Sequence, residues 1–331
     1  MPFMPVFKNV NNISVFLSAI VLSTFLVLAH VYGVRFQWRS SLISFSIVIV
    51  FIIYLSIAFK TLSSKSPQKK SLRNSLSLEP LKDWIPLVAI ITIFENLREF
   101  TGVINPHPLD SLLYEMDLKL FGVEPTLWSQ QFVNPFLTDM FSFFYAIYFL
   151  LPLLLALHFY WSKRSHCFQE MSLGLGLCFY LGFLSYILFP AGPPRFYFGP
   201  EIWQAYPALV GKWGLFEKIH GFANSHNPIM HYASFPSMHV ALASLSTIYA
   251  FKLANTKGRL LWGTSYTILS IGIILSTIYL RHHWVPDIFA GIFLATLAAT
   301  MAHGIVVYAN KTTKEIQPDP LKSPNLQDSL S

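Results

Sequence analysis

Histidine 283, Asp287 four residues later, a second histidine at 239 and an arginine at 195 make up the means for phosphoryl transfer by protein groups alone. Residues four apart share one face of a helical turn, so the Asp287 carboxylate can accept the His283 imidazole N–H, fix its tautomer and stabilise the imidazolium. The other ring nitrogen is then free to attack phosphorus. The plainer alternative is a buried His–Asp hydrogen bond that only ties two helices together. Pro286, between the pair, reads as the start of a helix rather than the continuation of one.

His239 falls in Ser234-Phe235-Pro236-Ser237-Met238-His239. Pro and Ser there are helix-start signals, so free backbone N–H groups and the positive end of the dipole attract an anion. Ser237 and the His239 imidazole could reach that anion, although a lone histidine at a helix start can equally be a satisfied polar residue. Arg195 closes Phe189-Pro190-Ala191-Gly192-Pro193-Pro194-Arg195, where prolines end a helix and deliver a guanidinium able to fork a phosphate. Taken alone it could be an interfacial arginine that snorkels. His231, His239, His282 and His283 could in principle ligate zinc, but Asp287 is better explained as an orienting partner, and no metal or cofactor is expected.

The elements that must carry these residues cross a membrane. The chain of 331 residues is 53% hydrophobic and 12% charged, with mean hydropathy +0.49. That suits a bilayer rather than water. The charge of +7 is scattered between apolar runs, which speaks against nucleic acid. Cys167 and Cys178 have no C-x-x-C or metal-ligand spacing and read as structural thiols.

Apolar runs able to cross about 30 Å of hydrocarbon fall near 13–33, 41–59, 84–100, 136–161, 171–190, 236–254, 261–280 and 286–308. The expectation is an all-α integral membrane protein of eight transmembrane helices. In the third, Glu95, Arg98 and Glu99 share a face that should look into the bundle or lie at its rim. Eight spans put both termini on one side with 15 of the 23 Lys and Arg, so that side is cytoplasmic. The connections around 101–135, 191–235 and 281–285 are then periplasmic, extracellular or lumenal, and the end of span five, the start of span six and the junction of spans seven and eight converge there. Residues 1–83 read as two helices and a basic cytoplasmic loop, 84–309 as the catalytic domain and 310–331 as a disordered tail.

Phe235-Pro236-Ser237-Met238-His239 and Tyr279-Leu280-Arg281-His282-His283-Trp284-Val285-Pro286-Asp287 resemble the type 2 phosphatidic acid phosphatase superfamily, in its inositol phosphorylceramide synthase branch. Glu115-Met116-Asp117 and Phe121-Gly122-Val123-Glu124-Pro125-Thr126 also resemble a stretch upstream of that branch's site, so the likeness spans roughly 95–305. The resemblance implies a bundle of that superfamily's kind, with His283 as the nucleophile that becomes phosphohistidine and Asp287 as its orienting carboxylate. It makes His239 the acid and then base, and Arg195 and Ser237 the phosphate holders. Where the wider superfamily carries Lys, Gly and Arg, this chain has Leu188, Met238 and Thr277. A dianionic monoester needs more positive charge than a monoanionic diester, and Arg281 could restore part of it.

Three functions from different classes stay open on this reading. The first is a lipid phosphotransferase that moves a phosphate-linked headgroup between membrane lipids. The second is a phosphatase acting on phosphatidic acid or a polyprenyl diphosphate. The third is a non-catalytic lipid-binding or transport protein. Headgroup choice would lie in 196–233, where Trp203, Tyr206, Trp213, His220, His226 and His231 could line a pocket or simply anchor at the interface.

Overall fold

The computed structural model describes residues 10–38, 46, 79–97, 99–162, 164–219, 232–252 and 256–316. The expected second span at 41–59, the Lys60 to Lys82 loop, and His220, His226 and His231 lie outside them. The regular structure among the described residues is helical, with a single isolated bridge, Ala191 to Ala233, and no named strand.

In chain order the helices are α1 (Val10–Val31), α2 (Glu79–Leu97), α3 (Asp110–Phe121), α4 (Pro125–Ser129), α5 (Pro135–Ala146), α6 (Leu150–Trp161), α7 (Ser165–Leu188), α8 (Pro194–Tyr197), α9 (Pro200–Gln204), α10 (Met238–Lys252), α11 (Thr256–Tyr279) and α12 (Val285–Ile316). Among the described residues five stretches are long and apolar enough to cross a membrane: Asn12–Val31, Pro135–Trp161, His166–Leu188, Gly258–Tyr279 and Val285–Lys311. The chain is thus a multi-pass integral membrane protein. Of the other expected spans, the third keeps only a short apolar stretch, Pro86–Leu97, and the sixth is α10, whose 15 residues cover about 22 Å at 1.5 Å per residue. α12 also runs past Asn310 to Ile316, into what reads by composition as tail.

Two local features of the helices shape the site. The expected helix over 136–161 is broken by a 3-10 turn, Ile147–Phe149, between α5 and α6. Pro152 lacks the N–H that would bond the carbonyl four residues earlier, so the ladder loosens there. Tyr145, Tyr148 and Phe149 turn into the bundle cavity at this break. On α12, Ala295, Ala298, Ala299 and Ala302 are all buried, and such small residues let helices approach closely in lipid. Gly291 is required for the same reason, since a Cβ there would lie 2.6 Å from the Ser237 carbonyl oxygen at the head of α10.

Candidate active site

Three chain segments meet at the ends of α7, α10 and α11. Ser234 N donates to Ala191 O at 2.9 Å, Ser237 N to Asp287 O at 3.0 Å, and Arg195 N to Arg281 O at 3.2 Å. The backbone itself therefore stitches the Arg195 segment to the His239 segment and both to the His283 segment. His283, Asp287, His239 and Arg195 are brought together at this junction.

Asp287 is fully buried. Its Oδ2 receives the Ser234 hydroxyl at 2.6 Å and the Trp284 backbone N–H at 3.1 Å, and lies 3.0 Å from His283 Nδ1. With two donors already on that oxygen, the carboxylate can only accept from Nδ1, so His283 carries its proton there and leaves the Nε2 lone pair exposed to the cavity. His239 Nδ1 lies 3.2 Å from that Nε2. Burial, reinforced by the nearby Arg195 cation, pushes His283 well below the ordinary histidine range, so the resting ring is neutral and nucleophilic.

These residues form the polar end of a cavity of about 390 Å³. Arg195, Ser234, His239, His282 and His283 line that end, and Ile90, Ile91 and Phe94 of α2 with Phe179 and Phe183 of α7 line the apolar remainder. Arg195 is the single Lys or Arg on the wall among the described residues. Its Nη1 is 3.4 Å from His282 Nε2, while its Nε is a buried donor with no acceptor. A buried guanidinium with an unused donor calls for an anion.

Two of the residues singled out by sequence are placed elsewhere. Ser237 is fully buried, and its Oγ lies 3.4 Å from the Val240 N–H as an α10 cap rather than on the cavity wall. Ser234 occupies the position at the cavity. Arg281 points away: its Nε donates to Gln130 Oε1 at 2.9 Å, its Nη2 to Pro207 O at 3.2 Å, and its guanidinium lies 4.1 Å from the Trp203 ring centroid. Its backbone has φ 66°, a left-handed conformation that sends the side chain out of the turn. The charge lost at Leu188 and Thr277 is thus not restored at the cavity wall by Arg281.

Tyr145 and Tyr148 are not singled out by the sequence, and His282 enters there only as a possible zinc ligand. Tyr145 stacks on His239 at 4.4 Å and on His282 at 4.3 Å, and Tyr148 lies 4.2 Å from His239. His239 is held between the two tyrosine rings and His282 stacks on Tyr145 alone, and Tyr145 and Tyr148 share the three-residue spacing that could have signalled one helix face.

A family model described as the PAP2 superfamily matches residues 112–301. The chain belongs to the PAP2 superfamily. The matched stretch contains Arg195, His239, His283 and Asp287 but neither α1 nor α2, so part of the apolar wall comes from outside the PAP2 segment. Among curated proteins, the phosphoinositol dihydroceramide synthase of Bacteroides thetaiotaomicron is 26% identical over 213 residues, 58% of this chain and 66% of that protein. The chain spans just under two thirds of that relative's length. No solved structure matches it. Among the described residues, no group of three or more His, Cys, Asp or Glu is arranged to hold a metal.

A second carboxylate gives the PAP2 site a pH signature. Asp117 of α3 is fully buried, and its pKa is pushed up to about 7 by burial and by the neighbouring carboxylates Glu124 and Asp287, against the Val285 N–H that lowers it. A carboxyl with a raised native pKa holds its proton more tightly folded than unfolded. Its stabilising contribution is complete below the ordinary value of 3.8 and is lost as pH rises through about 7. Asp117→Asn keeps a carbonyl acceptor and cannot ionise. Its melting temperature relative to wild type is expected to rise between pH 5 and pH 8, and thermal scans in detergent giving the same difference at both values would contradict this.

Proposed function

We propose that this PAP2 protein is a metal-independent lipid phosphotransferase that carries a phosphate-linked headgroup from one membrane lipid to a lipid alcohol through phosphohistidine. The observation that carries the proposal is Arg195, the single Lys or Arg on the cavity wall among the described residues, with its unused Nε. One guanidinium matches the one negative charge of a phosphodiester better than the two of a monoester. The apolar wall of Ile90, Phe94 and Phe183 beside it suits the chains of a lipid. The relative's name makes phosphoinositol the first headgroup to try and a dihydroceramide the first acceptor.

In the proposed reaction His283 Nε2 attacks the donor phosphorus, the bond from phosphorus to the lipid oxygen breaks, and His239 gives that oxygen its proton. The headgroup phosphate is then bonded to His283, with Asp287 balancing the positive ring and Arg195 holding the non-bridging oxygens. The acceptor hydroxyl next gives its proton to His239, its oxygen attacks phosphorus, and the phosphorus–nitrogen bond breaks to restore both rings. In-line displacement puts phosphorus between nucleophile and proton donor, so substrate must part the His239–His283 pair, now 3.2 Å apart. The proposal keeps eight spans, cytoplasmic termini, an outer-face site and a catalytic domain over 84–309.

Purified protein given a phospholipid labelled in its headgroup phosphate tests this. Label is expected in a new lipid only when a lipid alcohol is added, undiminished by a chelator. Release of a water-soluble headgroup phosphate irrespective of acceptor would make the protein a phosphodiesterase, and release of inorganic phosphate from labelled phosphatidic acid or a polyprenyl diphosphate given in parallel would make it a phosphatase. Label left in the donor throughout would make the cavity a binding site only, and loss on chelation restored by zinc or magnesium would overturn the metal-free chemistry.

A further inference from the structure

α3 joins the arginine and histidine segments from outside the cavity. Asp110 Oδ1 accepts the Gly192 N–H at 2.6 Å, and Asp117 Oδ2 accepts the Val285 N–H at 3.2 Å. The two carboxylates are seven residues apart, which places them on one helix face about 10 Å apart along the axis. Gly192 lies three residues before Arg195, and Val285 two after His283. Leu109 N adds a bond to Pro190 O at 2.8 Å. The ring is closed directly by Trp284 Nε1, which donates to Gly192 O at 2.9 Å, and Leu113 of α3 packs with Trp284 and Ala191 beneath the helix.

We propose that Asp110 and Asp117 are positioning residues: through the rigid body of α3 they fix the separation between the segment that bears Arg195 and the segment that bears His283. This rests on the reading of those two residues as phosphate holder and nucleophile. A helix is a stiff spacer. Anchoring both segments to it sets where the guanidinium stands relative to Nε2, and an error of about 1 Å there costs about a hundredfold in rate. Because neither carboxylate touches substrate, their loss acts on kcat and leaves KM nearly unchanged.

The test is a double-mutant cycle on the full-length chain in the transfer assay, with melting temperature as a folding control. Asp110→Ala and Asp117→Ala are each expected to lower kcat about 30- to 100-fold. The double variant is expected to be no worse than the worse single one, because releasing either end already frees the spacer. Asn at either site keeps an acceptor and is expected to stay within about threefold of wild type. Multiplying losses, or Asn variants as poor as Ala, would overturn the proposal while leaving the transferase reading intact. If the alanine variants do not accumulate, Asp110→Ser and Asp117→Ser run the same cycle, and failure of all four to fold would show a structural role instead. A wild-type protein without turnover overturns the reading and the brace together.

Discussion

His283→Ala is expected to abolish lipid-to-lipid transfer, by about 10⁴-fold or more, with every donor and acceptor. Among the described residues His239 has no carboxylate partner to hold its tautomer, so it does not replace the lost Nε2 as nucleophile. Asp287→Asn should be milder than the loss of an orienting carboxylate usually is. Ser234 and the Trp284 N–H both donate to Oδ2, so they select the amide oxygen for that position and His283 keeps its proton on Nδ1. What disappears is the negative charge that balances the phosphorylated ring, and a fall of about 10²-fold is expected, with kcat measured in the transfer assay. A fall as deep as that of His283→Ala would show that the tautomer is lost as well.

His239→Ala is expected to lower transfer from a phospholipid by about 10³-fold, within the usual range for a general acid. The loss should depend on the leaving group. A lipid alkoxide needs a proton to depart, whereas a nitrophenolate does not, so a nitrophenyl phosphodiester should phosphorylate His239→Ala at close to the wild-type rate. Turnover should then stall, because the acceptor hydroxyl has no base. Equal loss with both donors in a single-turnover experiment would make His239 a binding residue and not a proton carrier.

The site was legible in the sequence to the extent that topology constrains it. Helix ends carrying Arg195, His239 and His283 must lie on one face if the spans alternate, and Asp287 follows His283 at helical spacing. Side-chain direction was not legible. Arg281 precedes the two histidines and suggested a phosphate contact, but its left-handed backbone turns it toward Gln130 and Trp203, and no local pattern signals that conformation in a non-glycine residue. The resemblance pointed to Ser237 as a phosphate holder, but the α10 cap takes up its hydroxyl and Ser234 stands on the cavity wall instead. Tyr145 and Tyr148 sat in an expected unbroken span, where aromatic residues ordinarily face lipid, and only the break before Pro152 explains their inward turn. In the fold, hydropathy found the long apolar helices, whereas the short apolar part of α2 and the short α10 need their neighbours to be stable in a bilayer. Asp110 and Asp117 belong to tertiary structure alone, since their partners are backbone N–H groups 82 and 168 residues away.

The most direct measurement of the central claim is the residue that carries phosphate in mid-reaction. Full-length protein is mixed with a labelled nitrophenyl phosphodiester in the absence of acceptor, quenched, digested and mapped by mass spectrometry. The expected label is acid-labile and base-stable, lies on the peptide containing His282 and His283, is absent from His283→Ala and persists in His239→Ala. Label on the His239 peptide of His283→Ala, or transfer proceeding at full rate with no labelled protein at any time, would contradict it.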